Sequence, residues 1–162
     1  MSANLAKTKA LVQAAAIAAL YTVLTMVSTL LGLSSGAVQV RLGEALCVLP
    51  AFLPAAVPGL TVGCFLSNLL SGCLPWDIVF GTLATLLGAL GTRALRNRRF
   101  ACLLPPVAAN TLIVPLILKW AYHLENAWWL LALCVLAGEV VSCVLLGGVL
   151  RRALEKNGSL FR

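Results

Sequence analysis

From Ala45 to Leu74 the chain carries no charged residue, and this one stretch excludes most of what a polypeptide can fold into in water. The run is too long for one transmembrane helix of about 20 residues and short for two regular ones. Pro50, Pro54 and Pro58 recur at every fourth position, and Pro58-Gly59 is the strongest turn signal within it. The run therefore divides into two short, kinked helices over about residues 43–57 and 59–73. The rest of the chain agrees. Hydrophobic residues make up 61% and charged ones 10%, against about 45–50% and about 25% in soluble domains. Within 162 residues the pattern predicts one all-α integral membrane domain with short loops. It leaves no room for a separate nucleotide-binding or catalytic module, and no P-loop is present, so the chain carries no ATPase of its own.

Four further spans fit around that pair. The first, about 10–31, follows Lys7 and Lys9. Its apolar run exceeds the hydrophobic region of a signal peptide and no small-residue cleavage site precedes a polar start, so it is retained as a helix. Trp76-Asp77 opens a span over about 77–95, Pro105-Pro106 opens another over about 105–122, and Trp128-Trp129 anchor the entry of the last, about 127–150. Six spans put both termini on one side. That side carries Lys7, Lys9, Arg93, Arg96, Arg98, Arg99, Arg151, Arg152, Lys156 and Arg162, while the other holds Arg41 and Lys119. By the positive-inside rule both termini face the cytoplasm. A five-span arrangement would place one basic end outside and is rejected. The net charge of +7 thus reports topology beside anionic lipid rather than a nucleic-acid partner.

Against this topology the acidic and amide residues stand out. Glu44, Asp77 and Glu125 fall at outer helix ends or in an outer loop, Glu139 lies deep in the last span, and Asn68 and Asn110 lie within the third and fifth. A charge inside a membrane helix costs at least ~2.5–3.5 kcal/mol on insertion scales, so such groups face a cavity, a partner or a substrate. Trp128, Ala132, Val135, Glu139 and Ser142 share one stripe, with Trp128 about 16 Å along the axis from Glu139. Asp77, Gly81, Thr85, Gly88 and Thr92 share another, small enough for close helix contact. Each feature also has a structural reading. Glu139 is potential interhelical glue, the two asparagines are potential interhelical hydrogen-bonders, and the tryptophans are potential belt anchors, Trp129 most of all. Asp77 fits a helix cap, and Arg41 is placed to pair with Glu44 or lipid phosphate. Taken together, Arg41, Glu44, Asn68, Asp77, Asn110 and Glu139, with Trp76, Trp120 and Trp128, have the composition of an outward-facing pocket for a flat, polar solute. Carboxylates accept N–H bonds, amides read mixed edges, and indoles stack.

The six cysteines lie in apolar runs without a CxxC pair, and His123 stands alone. No metal-ligand or nucleophile motif is legible, and the thiols read as small packing residues. On the first span Ala10, Ala14 and Ala18 repeat every four residues with Ala15 and Ala19 beside them, a small-residue stripe suited to close helix approach, either within the chain or toward a partner.

The stretch Arg41-Leu-Gly-Glu-Ala-Leu46, followed by Leu49-Pro-Ala-Phe52 and Pro58-Gly-Leu60, resembles the queuosine-precursor transporter (QueT) family. So do Asn68-Leu-Leu-Ser-Gly72, Trp76-Asp-Ile-Val-Phe-Gly-Thr-Leu-Ala-Thr85, Pro105-Pro106 with Asn110, and Gly138-Glu139. The resemblance covers about residues 8–156, and the block from Trp76 to Thr85 is its most specific part. It implies a substrate-binding S-component of an energy-coupling factor (ECF) transporter, a multi-pass protein of the bacterial cell membrane with a six-helix fold and a pocket open to the outside. It implies a transmembrane scaffold subunit and two cytoplasmic ATPases as partners, with ATP and Mg2+ bound there and no cofactor in this chain. It implies docking on the scaffold through an AxxxA motif of the first helix, matched by Ala14 with Ala18 or by Ala15 with Ala19. The implied substrate is a 7-deazaguanine: 7-cyano-7-deazaguanine, 7-aminomethyl-7-deazaguanine or queuine. For such a base, Glu139 suits the ring N–H and exocyclic amine, and Asn110 and Asn68 the carbonyl and pyrrole side. Asp77 or Glu44 suits a cationic aminomethyl group, and Trp76, Trp120 or Trp128 suits stacking. Loops 32–43 and 123–127 are the expected outer gates. The alternatives are an S-component for another flat heterocycle, an intramembrane enzyme using Glu139 and His123, and a purely structural membrane subunit. The enzyme is disfavoured because His123 belongs to an outer loop and Glu139 lies deep.

Overall fold

The computed structural model describes residues 2–33, 38–123, 125 and 127–156. All regular structure among them is helical: α1 (Ser2–Leu30), a 3-10 helix (Leu42–Ala51), α2 (Ala56–Leu70), α3 (Pro75–Ala94), a 3-10 turn (Ala101–Leu103), α4 (Leu104–Trp120), α5 (Trp128–Glu139), a π segment (Val140–Leu146) and α6 (Gly147–Lys156). The last three form one continuous rod from Trp128 to Lys156. Three stretches are long and apolar enough to cross a bilayer, namely Asn4–Leu30, Ala101–Trp120 and Trp128–Lys156. Leu42–Ala51 and Ala56–Leu70 are shorter apolar helices.

The second helix departs from the reading of the sequence. Instead of a kinked α-helix over 43–57, the chain forms a 3-10 helix of 10 residues that ends at Ala51. At ~2.0 Å per residue it reaches about 20 Å. Pro50 sits inside it and can donate no backbone bond, and Pro54 pushes its predecessor out of helical geometry. The break therefore falls at residues 52–55. Pro58-Gly59, expected to be the turn, lies in the first turn of α2, where a missing N–H costs nothing.

Close approaches fix the directions of the helices. A Cβ added to Gly59 would lie 2.8 Å from the carbonyl oxygen of Ala14, and one at Gly63 would lie 2.9 Å from that of Ala18. Rising numbers meet rising numbers, so α1 and α2 run parallel. The 3-10 helix lies between them in the chain and makes the return pass. At α3–α4 the order reverses: Gly88 meets Pro106 and Gly91 meets Pro105, an antiparallel pair. The stripe Gly81, Thr85, Gly88 and Thr92 thus faces inward as expected. The core, where α1, the 3-10 helix and α2 converge, is built from Tyr21, Leu46, Cys47, Ala56, Leu60 and Cys64.

The α1–α2 contact also separates the two alanine registers. Ala18 is buried and Ala14 half-buried against the α2 glycines, while Ala15 and Ala19 are exposed on the adjacent face. At the basic end, Glu155 accepts from Arg99 Nη2 at 2.7 Å and from Arg151 Nε at 2.8 Å. Arg151 also donates to Cys102 Sγ and lies over the Phe52 ring, and Arg93 Nη1 donates to the Pro50 carbonyl at 3.2 Å. These contacts tie the end of the 3-10 helix, the 101–103 turn and α6 together.

Candidate functional site

Two carboxylates meet in the middle of the bundle because two helical periods aim their partners at them. On the 3-10 helix, with three residues per turn, Glu44 and Cys47 fall on one face, and Cys47 Sγ donates to Glu44 Oε2 at 3.0 Å. The other oxygen, Oε1, accepts from Tyr21 OH of α1 at 2.5 Å. On the last rod Glu139 and Cys143 are one turn apart, and Cys143 Sγ donates to Glu139 Oε2 at 3.2 Å. Glu139 Oε1 accepts from Asn110 Nδ2 of α4 at 2.9 Å. Cys143 Sγ also reaches the Glu44 carbonyl at 3.5 Å. All six side chains are buried, and each carboxylate oxygen has a donor, as burial in a low dielectric requires.

Above this floor lies a cleft in two connected parts. A constricted inner chamber of about 20 Å³ is lined by Gln39, Arg41, Glu44, Cys64, Gly81, Thr85, Asn110, Val114, Val135 and Glu139. An outer chamber of about 340 Å³ is lined by Thr25, Thr29, Gln39, Arg41, Asn68, Ser71, Cys73, Asp77, Val114, Leu118 and Tyr122. Gln39, Arg41 and Val114 belong to both, so they form the neck. The strap that carries Gln39 and Arg41 is pinned where it enters the 3-10 helix. Arg41 N donates to Ser142 Oγ at 3.2 Å, and Leu42 N donates to Ser28 Oγ at 2.8 Å. Gly138 faces the Gln39 carbonyl so closely that a Cβ there would collide with it. In the outer chamber, Tyr122 OH donates to Asp77 Oδ2 at 3.1 Å, and Asn68 Nδ2 reaches the Asp77 carbonyl at 3.5 Å. Asn68 thereby also closes the α2–α3 turn.

Six of the residues singled out in the sequence, Arg41, Glu44, Asn68, Asp77, Asn110 and Glu139, therefore line one cleft. The tryptophans do not. Trp76 and Trp120 are 63% and 77% exposed and line a separate apolar groove between α3 and α4 with Phe80, Leu83 and Ile113. Trp76 stacks on Phe80, and Trp128 is 40% exposed at the start of α5. Their amphipathic rings sit at helix ends, as belt anchors do, so the expected stacking indole is absent from the cleft lining. Tyr122 is the aromatic ring there instead. His123, with φ of 52°, follows α4 and lines neither chamber, so it does not join Glu139. Of the expected gates, residues 38–41 form the strap and 42–43 open the 3-10 helix, whereas 34–37, 124 and 126 lie outside the described residues. The sequence does not single out Tyr21, Gln39 or the cysteine pair, and it offers Thr85 only as part of the close-packing stripe. Tyr21 was detectable as a hydroxyl in an uncharged span; Cys47 and Cys143 meet only through the fold. Glu44, Cys47 and Cys143 bring potential ligand atoms within 4.8 Å of one another.

A buried acid–amide floor beside a chamber lined by Asn68, Asp77 and Tyr122 offers hydrogen-bond donors and acceptors to a small solute, and comparisons with known proteins bear on it. The queuosine precursor transporter QueT of Lactococcus lactis subsp. cremoris is 40% identical over 81 residues, 49% of this chain and 47% of that protein. The chain thus matches about half the length of this curated relative. No solved structure matches. The model of the QueT transporter family matches residues 11–156, which takes in every helix that lines the cleft, and the chain belongs to that family.

Proposed function

We propose that the chain is the substrate-binding S-component of an ECF importer and takes up a queuosine precursor of the 7-deazaguanine class. The observation that carries this reading is the floor of the cleft, where Glu139 and Asn110 are hydrogen-bonded to each other in a constricted chamber of about 20 Å³ that adjoins, at Gln39, Arg41 and Val114, one of about 340 Å³. That volume lies in the range of small-molecule sites, ~300–1,000 Å³. A guanine-like edge presents a ring N–H beside an exocyclic amine, and the Glu139 carboxylate accepts both. Asn110, freed from Glu139, reads the carbonyl. Asp77, in the outer chamber, faces the substituent at the seven position and suits a cationic aminomethyl group. Trp76, Trp120 and Trp128 serve as membrane anchors in this reading.

The helices make six passes through the bacterial cell membrane as a single domain, the 3-10 helix and α2 being the two short ones. Both termini and the Arg99–Glu155–Arg151 cluster lie on the cytoplasmic side, following the positive-inside rule. Reorientation of the loaded chain is driven by a transmembrane scaffold subunit and two cytoplasmic ATPases that bind ATP and Mg2+. The Ala15–Ala19 face of α1 is the docking register, because the α2 glycines already occupy Ala14 and Ala18. Calorimetry of the detergent-purified chain with the three 7-deazaguanines and with control purines tests the reading. Binding of a deazaguanine at micromolar or lower concentration, with purines excluded, is expected. Binding of a control purine instead assigns the cleft to another heterocycle, and no binding at all overturns the reading.

A further inference from the structure

We infer that the buried cluster of Glu44, Cys47, Cys143 and Glu139 is a binding site for a thiophilic divalent cation of the zinc class. The cluster joins two thiols far apart in sequence to two carboxylates, and three of the four groups already lie within 4.8 Å of one another. With zinc–oxygen bonds of about 2.0–2.2 Å and zinc–sulfur bonds of about 2.3 Å, neighbouring ligand atoms lie about 3.3–3.8 Å apart. Here Cys47 Sγ is 3.0 Å from Glu44 Oε2, Cys143 Sγ is 3.2 Å from Glu139 Oε2, and the ligand atoms of Glu44, Cys47 and Cys143 fall within 4.8 Å. These three supply two sulfurs and one oxygen, and Glu139, hydrogen-bonded to Cys143, completes the shell when its side chain turns toward them. The sulfurs select a zinc-class ion over magnesium or calcium, which take oxygen shells.

Charge favours the exchange. The ion displaces one proton from each thiol, and both leave to solvent. Two positive charges replace two, so the net charge of the cluster is unchanged in a setting where any added charge is costly. Glu44 and Glu139 line the inner chamber, which shares Gln39, Arg41 and Val114 with the outer one, so the ion approaches from that side. Once bound, the ion clamps the 3-10 helix to the last span and occupies both carboxylates of the floor. The binding chemistry of the site does not depend on the identity of the transported solute.

The full chain, purified in detergent and reduced, is titrated with Cd2+ and, separately, with Zn2+. One ion per chain and a thiolate-to-cadmium charge-transfer band are expected. Zinc X-ray absorption should give two sulfurs at about 2.3 Å and two oxygens at about 2.0 Å. Cys47→Ser and Cys143→Ser should each weaken binding by at least ~10-fold, while Cys134→Ser, at a partly exposed thiol outside the cleft, leaves it unchanged. A shell of nitrogen and oxygen alone, or affinity unaltered in both single variants, overturns the proposal. If a variant does not fold, the absorption spectrum of the wild-type chain decides.

Discussion

Glu139 spends one oxygen on Asn110 and the other on Cys143, so a substrate amine must compete with groups of this chain for the same acceptor. Glu139→Gln keeps the shape but replaces an acceptor with a donor. Deazaguanine binding should weaken by roughly 1.5–3 kcal/mol, the worth of a hydrogen bond to a charged group, as read by calorimetry; unaltered affinity would leave Glu139 a purely structural acid. Asp77→Asn separates the two ends of the solute. It should weaken an aminomethyl ligand by a similar amount and leave a cyano ligand nearly unaffected, and equal losses for both would remove Asp77 from the recognition of the substituent. Tyr21→Phe strips Glu44 Oε1 of its donor in a fully buried site. It should cost about 1–3 kcal/mol of stability, measured as a lower midpoint of thermal unfolding in detergent. The acids and amides were legible in the sequence because a polar group in an apolar span has few affordable reasons to be there. The tryptophans were not, since an indole stacked on a base and an indole in the lipid belt look the same in a sequence. The encounter of Cys47 with Cys143 depends on how two distant helices pack, which no local spacing encodes.

Among the elements, the second helix and the strap were the least legible. The prolines correctly announced broken helices in the 45–74 run. Their spacing did not reveal that the first piece would adopt the tighter 3-10 period, which is what puts Glu44 and Cys47 on one face. Nor did it reveal that Pro58 would be absorbed into the first turn of α2. The stripe on α3 was legible because small residues at one-turn intervals serve helix contact whatever the partner. Gly138 holds the strap by having no side chain. Gly138→Val should push residues 38–41 off the α5 surface, so that ligand affinity falls while helix content by circular dichroism stays at the wild-type level. Retained affinity would show that the position of the strap does not shape the site.

For the whole molecule, the two alanine registers make opposite predictions. Ala18→Trp drives an indole into the α1–α2 seam beside Gly63, and it should lower thermal stability and solute binding together. Ala15→Trp and Ala19→Trp act on an exposed face. Each should leave solute binding intact and abolish co-purification with the scaffold and ATPases. Scaffold association that survives both would move the docking surface to another helix.

The π segment, Val140–Leu146, separates the carboxylate floor from the basic end of the same rod. A π turn takes in one residue more than an α turn, and each residue of an α-helix is worth about 100° of rotation. Glu139 on one side and Arg151 on the other are therefore set to different phases of a single screw. Deleting one residue between them would preserve a helix of nearly the same length and composition. It would still swing Arg151 away from Cys102, Phe52 and Glu155, or Glu139 away from Asn110. In this part of the chain the number of residues is as constrained as their identity, because a change in length is a change in angle.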